Sequence, residues 1–341
     1  MRRRLGAFRR NLRAWWSLII VCVLIIASLG ADLIANDKPL LVMHDGEMLF
    51  PVFASYAETR FGGDLETEAD YTDPFVIDLI KQSGWAIDPP VPFAHNTVDF
   101  AAVAPHPAPP SAEHILGTDD QGRDVMARLV HGLRVSILFG LALSVVSVAV
   151  GLLAGAIQGF FGGWVDLGFQ RFMEIWESLP QFYLLIIMSS FIVPGLVSIF
   201  VILALFSWMQ LTPVVRAEVL RARNFDYVRA AEAMGVSRRM IIARHVLPNA
   251  IVAAITLLPF LVTGSIVALT SLDFIGFGLP PGSPSLGEML QQARNNLDAP
   301  WLGITAFSAM AVLLTLFTFV GEGFRDAFDP RKTIETGGQG Q

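Results

Sequence analysis

The sequence predicts an all-α polytopic membrane protein that crosses a membrane six times, with a large outward loop between its first and second spans. Three observations lead there. The 341 residues are 53% hydrophobic and only 16% charged, against roughly 25% charged in soluble domains. The charges are confined to a few segments and leave 135–161, 181–215, 248–272 and 301–321 with none. A span needs about 20 mostly apolar residues to cross roughly 30 Å of hydrocarbon, and these runs supply them. The arginines, finally, fall in clusters that six spans would put on one side, as cytoplasmic loops require.

In chain order, a basic tail (1–14) carries Arg2, Arg3, Arg4, Arg9, Arg10 and Arg13 and precedes a first span at 15–34. The pairing imitates a secretory signal peptide, but the apolar run is longer than a usual h-region and more spans follow, so a retained anchor is expected. Cys22, the single cysteine, lies in that run and allows no intrachain disulfide. The outer loop, 35–134, holds sixteen carboxylates between Asp37 and Asp124 and proline clusters at 89–90 and 105–110. It is too long for a turn and reads as a small subdomain, helical around 73–84 and otherwise irregular. Its histidines, His44, His95, His106 and His114, match no zinc spacing and read as solvated.

The core, 135–320, contains spans at 135–161, 179–193, 196–215, 249–272 and 301–320. Gly151, Gly155 and Gly159 bare one face of the second span, which suits a packing seam within the chain or, as the alternative, a dimer interface. The third span is short unless it begins near Phe172, and Arg171, Glu174 and Glu177 ahead of it read as a surface ion-pair face. Residues 273–300 are rich in Gly and Pro, a backbone that cannot face lipid and should fold over or into a pore mouth. Trp15, Trp16, Trp208 and Trp301 lie near span ends, where interfacial anchors belong. A tail, 321–341, carries Arg325, Arg331 and Lys332.

No span has a charged residue in its middle, which argues against proton- or ion-coupled transport. The three lysines, Lys38, Lys81 and Lys332, sit in no phosphate-binding G-x-x-x-x-G-K-[ST] loop. An energy source, if there is one, must then act from outside the chain. Attention falls on the inner loop, 216–248, and its stretch NFDYVRAAEAMGVSRRMIIARHVLPNA (224–250). Good helix formers occupy 226–234, Gly235 sits where a helix end favours a left-handed residue, and Ser237 can cap a second helix running to about Val246. Such a hairpin, with Ala230 and Ala231 on one side, could enter a groove on a partner.

This stretch resembles the coupling loop of binding-protein-dependent ABC importer permeases: E-A-A, three residues, Gly, nine residues, I-x-L-P. Here Arg229-Ala230-Ala231, Gly235 and His245-Val246-Leu247-Pro248 keep the spacing, with Arg229 in place of Glu and His245 in place of Ile. Those departures are typical of the peptide and nickel branch. Three further segments resemble that branch: Leu116-Gly117-Thr118-Asp119 followed by Gly122-Arg123-Asp124, the outer segment 273–290, and GEGFRDAFDPR at 321–331, which includes Arg325, Asp326, Asp329 and Pro330. IANDKPLLV (34–42) and YTDPF (71–75) resemble the Yej-type subgroup, which imports peptides and the peptide-nucleotide microcin C. Asp273 departs from the Ser or Gly common in the branch.

The resemblance implies a type I ABC importer permease fold in the inner membrane, both termini cytoplasmic, forming half of a translocation pore. It implies docking to an ATPase through Arg229, Ala230, Ala231, Gly235, Ser237, Leu247 and Pro248. The implied partners are a second homologous permease, two ATPase domains on separate or fused chains, and a periplasmic solute-binding protein, with no nucleic acid. This chain would bind no cofactor itself, ATP and magnesium residing on the ATPases. Three alternatives stay open: a permease for nickel or another small solute, a membrane-embedded enzyme, and a channel. A nickel site would want imidazole or sulfur ligands in the pore, an enzyme would need a convergent acid, base or nucleophile set, and a channel would not need the hairpin.

Overall fold

A computed structural model describes residues 6, 8–99, 105–189, 191 and 195–328. Helix α1 (Leu12–Leu29) opens where the Asn11 side chain accepts the Ala14 amide, and a short helix α2 (Ala31–Ile34) extends it. Next comes a subdomain with more regular structure than the sequence suggested. Strands β1 (Leu41–His44), β2 (Glu47–Leu49) and β3 (Gly84–Ile87) form an antiparallel sheet in the order β2-β1-β3. The irregular reading of this loop is therefore corrected. The β1–β2 turn is Asp45-Gly46, both at positive φ (48° and 80°), the geometry that matches the twist of a hairpin. The expected helix is present as α3 (Pro74–Ser83), with Asp73 accepting the Phe75 amide at 2.8 Å. Val42, Leu49, Phe61, Tyr71, Val76 and Ile80 close a core between helix and sheet.

Helix α4 (Val125–Phe161) is the central pillar and packs against most of the remaining elements. It is followed by α5 (Gly163–Glu177), α6 (Gln181–Ser189), α7 (Leu196–Ser207), a 3-10 turn at Trp208–Gln210 and α8 (Thr212–Ala222). The inner hairpin comprises α9 (Asp226–Ala233) and α10 (Arg238–Ile241), and a π turn (Ile242–Val246) joins it to α11 (Leu247–Phe274). Helices α12 (Leu286–Asn295) and α13 (Pro300–Phe328) end the described chain.

Among the described residues, five helical stretches are long and apolar enough to cross a membrane: Leu12–Leu29, Val125–Phe161, Leu196–Ala222, Arg238–Phe274 and Pro300–Phe328. The predicted third span is represented by α6 alone, nine residues long. Pro180 accounts for its separation from α5, since a proline disfavours helical backbone in the residue before it. Part of the expected 179–193 segment, including Pro194 just after it, lies outside the described residues. The other helices overrun their predicted bounds because polar ends are capped. Asp124 accepts the Ala127 amide at 2.7 Å and starts α4 ten residues ahead of Val135, while α13 continues beyond Val320 through Arg325.

The glycine seam forms within the chain. A Cβ on Gly151, Gly155 or Gly159 would lie 2.7–2.8 Å from the carbonyl oxygens of Trp208, Thr212 and Arg216 respectively, so α4 and α8 touch backbone to backbone. Arginines then pin the inner end. Arg223 donates to the Gly159 and Phe160 carbonyls at 3.3 and 3.2 Å, satisfying the open end of α4. Arg216 grips Asp166 with two hydrogen bonds of 2.6 and 2.5 Å, joining α8 to α5. Those bonds hold the Asp166 carboxyl below the usual carboxylate range. Arg171 and Glu174 pair on the exposed face of α5, as expected.

Candidate functional site: an inner hairpin and an outer clasp

The inner hairpin takes its shape from Gly235. Helix α9 ends at Met234, Gly235 turns left-handed at φ 78°, and the amides of Gly235 and Val236 return to the carbonyls of Glu232 and Ala231 at 3.0 and 3.1 Å. This is the paired reverse bonding by which a glycine stops a helix. No atom lies within 4 Å of where a Cβ would stand, so the backbone angle, not crowding inside the chain, demands glycine. Ser237 occupies the capping position of α10 with extended backbone (ψ 141°), but its hydroxyl makes no capping bond.

Two expectations about the hairpin need correction. The second arm does not stop near Val246: helical backbone continues through the π turn into α11. Pro248 does not interrupt it: it follows directly on the π turn Ile242–Val246, a local loosening of the helical ladder. Ala230 and Ala231 also part company, Ala230 exposed and Ala231 buried. The buried side forms the root. Val228, Ala231, Ile241 and Val246 join Phe160, Val219 and Ala250 in one apolar cluster with the inner ends of α4, α8 and α11. Asn249 donates to the Tyr227 hydroxyl at 3.1 Å and ties α9 to α11. The tip is bare: Arg229, Ala230, Gly235 and Ser237 are exposed, and Met234 is 76% exposed. Leu247 is half-buried and Pro248 exposed. Arg325 reaches the same region, lining with Glu218, Arg221 and Asn249 a crevice of about 820 Å3. Asp326 is half-buried nearby in sequence, and Asp329 and Pro330 lie outside the described residues.

The signature ahead of α4 folds into a second, buried site. Gly117 and Gly122 adopt φ of 77° and 81°, bending the loop so that Asp119 points inward. Asp119 accepts the amides of Gln121 and Arg123 at 2.9 Å with one oxygen. Its other oxygen meets Arg123 at 2.7 Å and Arg128 at 3.2 Å. Arg128, fully buried, also bonds the Ser283 carbonyl at 3.0 Å and Glu288 at 2.9 Å. Glu288 in turn accepts the Gly282 amide at 3.1 Å. Charges that would be prohibitive alone are thus paired and bonded, and they clasp the 273–300 segment to the head of α4. Asp273 strengthens the clasp by accepting from the Ser285 hydroxyl and the Leu279 amide.

Thr118 and Asp124 work on the loop side. The Thr118 hydroxyl accepts the Ala108 amide at 2.8 Å, and its carbonyl accepts the Trp301 indole at 3.2 Å. Trp301 therefore tethers the signature. Asp124 binds His114 at 2.8 Å, and Asp99 takes the other ring nitrogen at 3.2 Å. His114 and His44 are buried, which overturns the reading of both as solvated. Burial alone would strip the proton from His114, but the two carboxylates outweigh it and raise the imidazolium above the ordinary histidine range. The sequence reading missed Arg128, Glu288 and Gln292, whose side-chain amide donates to Asp119 at 3.4 Å. Ser285-Leu-Gly-Glu288 carried a usable signal, the S-x-x-E of a helix start.

Residues 147–334 match the family described as binding-protein-dependent transport system inner membrane component. The chain belongs to this family. Among its curated relatives is the inner membrane ABC transporter permease protein YejE of Escherichia coli K12, 54% identical over 97% of this chain and 97% of that protein. The peptidoglycan transport system permease protein YejE of Agrobacterium fabrum is 49% identical, covering 98% of this chain and 93% of its own. The oligopeptide transport system permease protein OppC of Mycobacterium tuberculosis is 33% identical over 74% of this chain and 87% of that one. As a family member the chain is a permease subunit of an ABC importer, and its helical fold with five long apolar stretches is of the membrane type. The match to the two YejE proteins takes in the outer subdomain, which precedes the family segment.

Proposed function

We propose that this permease forms half of the path of a peptide importer and turns movement of separate ATPases into movement of its own spans. The hairpin carries this reading: its root shares one apolar cluster with α4, α8 and α11, while its tip is bare. A partner that pulls on Arg229, Ala230, Gly235 and Ser237 would move the attached spans with them. Coupling of this kind needs only a difference in affinity for two partner states. The outer signature, Gly117 through Asp124, keeps the opposite end closed on the 273–300 segment.

The assembly that follows has a second homologous permease, two ATPase domains on one fused chain or two, and a periplasmic solute-binding protein. ATP and magnesium bind on the ATPases, and this chain performs no bond chemistry. Six spans, counting 179–193 as the third, put both termini and the 216–248 loop on the cytoplasmic side, where their arginines belong. The 35–134 loop is then periplasmic. Peptides are the proposed substrates because oligopeptide transport names one relative, with peptide-nucleotides of the microcin C kind in the same class. Peptidoglycan names another, so peptide-bearing cell-wall fragments are the second substrate to assay.

The test is purification of the tagged chain with its partners, followed by peptide uptake and peptide-stimulated ATP hydrolysis in vesicles. Gly235→Asp should abolish both at normal expression, because a left-handed non-glycine residue costs about 1–2 kcal/mol and its side chain would stand in the docking face. Uptake at the wild-type rate in that variant would sink the lever.

A further inference from the structure

Five polar side chains meet among runs that are otherwise apolar and uncharged. Ser147 of α4, Gln181 of α6, Ser207 of α7, Gln210 of the following turn and Ser265 of α11 line one cavity of about 70 Å3, with Gly264 in its wall. All fall within runs that carry no charged residue, and no charged residue lines the cavity. The serines are anchored without it. Ser147 reaches the Leu143 carbonyl at 2.7 Å and Ser207 at 2.5 Å, and Ser265 donates to the Leu261 carbonyl at 2.9 Å. A hydroxyl that has given its proton away keeps lone pairs to accept with. Gln181 and Gln210 are exposed, and an amide brings both donors and acceptors.

The third long helical stretch, Leu196–Ala222, presents two different faces. Leu203, Ser207 and Gln210 recur at i, i+4 and i+7 and share a face, whereas Val201 and Leu205, 51% and 49% exposed, lie opposite. An exposed apolar face suits lipid. An exposed glutamine at that depth does not, and belongs on a water-filled path. Gly264 keeps that side open, since nothing lies within 4 Å of where its Cβ would be.

We infer that this face is the substrate-contacting wall of the translocation path, and that it holds a passing chain by hydrogen bonds to its backbone amides without reading side-chain charge. The substrate in this statement rests on the peptide reading above; the location of the wall does not. Neutral hydrogen-bonding groups suit transit, which requires binding weak enough to release.

The test uses the whole transporter in vesicles, with Cys22→Ser as background and Gln210→Cys, Gly264→Cys and Val201→Cys added singly. A water-soluble, membrane-impermeant thiol reagent should modify the first two and spare Val201→Cys, and cationic and anionic peptides should protect equally. Uptake of both peptides by Gln210→Leu should fall by a similar factor, about 2- to 12-fold, the worth of one net hydrogen bond. Inert Gln210→Cys and Gly264→Cys in complexes that still import peptide would overturn the wall. Protection or uptake loss confined to one peptide charge would overturn the charge-blind contact. If the wild-type transporter imports no peptide yet both cysteines are modified, the peptide reading fails and the wall stands.

Discussion

His114 lies buried between two carboxylates, and its environment fixes how stability responds to pH. The ring stacks near Phe93, with centroids 4.5 Å apart, and bonds Asp124 and Asp99 on its two nitrogens. A pKa raised by folding makes a contribution that is full below the unfolded value, about 6.5, and disappears as pH rises through the higher folded value. Melting of the detergent-solubilised chain should therefore show wild type exceeding His114→Gln most near about pH 6, with the gap closing toward alkaline pH. A gap that widens with pH would contradict the ion-pair account. Arg128 makes a sharper case. Arg128→Met would leave Glu288 without its 2.9 Å partner and Asp119 with Arg123 alone. Breaking a buried pair from one side costs about 3–5 kcal/mol, so denaturant titration should show a loss of that order. Replacing the exposed Arg171 should change almost nothing, its pair with Glu174 being on the surface.

Between elements, the deciding contact is the α4–α8 seam. Gly155→Ala would force a methyl to 2.7 Å from the Thr212 carbonyl, and overpacking of this kind costs about 1–3 kcal/mol. Gly168→Ala on α5, where nothing lies within 4 Å, should be neutral or stabilising by up to about 1 kcal/mol, since alanine suits a helix better. Equal melting temperatures for the two variants would mean the seam is slack. The seam was legible because four-residue glycine spacing bares one helix face for close approach; that its neighbour is α8 of the same chain was not. The Gly235 turn was legible too, because a left-handed residue at a helix end leaves a mark in sequence. The β1–β2 hairpin went unread although Asp45-Gly46 marks its turn; its strands of four and three residues are too short to show alternation. Arg128 and Glu288 stand 160 residues apart, and no local pattern announces a pair at that distance. Ser237 was over-read: a serine at a cap position favours the bond but does not compel it.

At the scale of the molecule, the second arm of the hairpin and the span that follows it form one continuous helical body. Helical backbone runs from Arg238 to Phe274, and the hairpin root is buried against the inner ends of three helices. Spin labels at Ser237→Cys and Ala253→Cys, in a Cys22→Ser background, should keep one separation whether or not the assembled ATPases hold nucleotide. A separation that changes with nucleotide would show a hinge in the π turn instead of a rigid arm.

The outer clasp has a consequence for how the protein is made. Asp119, Arg123 and Arg128 leave the ribosome together, but Glu288 follows Arg128 by 160 residues. At roughly 5–20 residues per second, the wait is on the order of ten to thirty seconds. Throughout it the cluster holds two positive charges against one negative, and the Gly282 and Ser283 carbonyls that Arg128 needs have not been synthesised. The nascent chain must keep that end wet until α12 arrives. A product truncated before α12 would leave Arg128 with Asp119 and the His95 carbonyl but without Glu288 and the 282–283 carbonyls, a half-closed clasp.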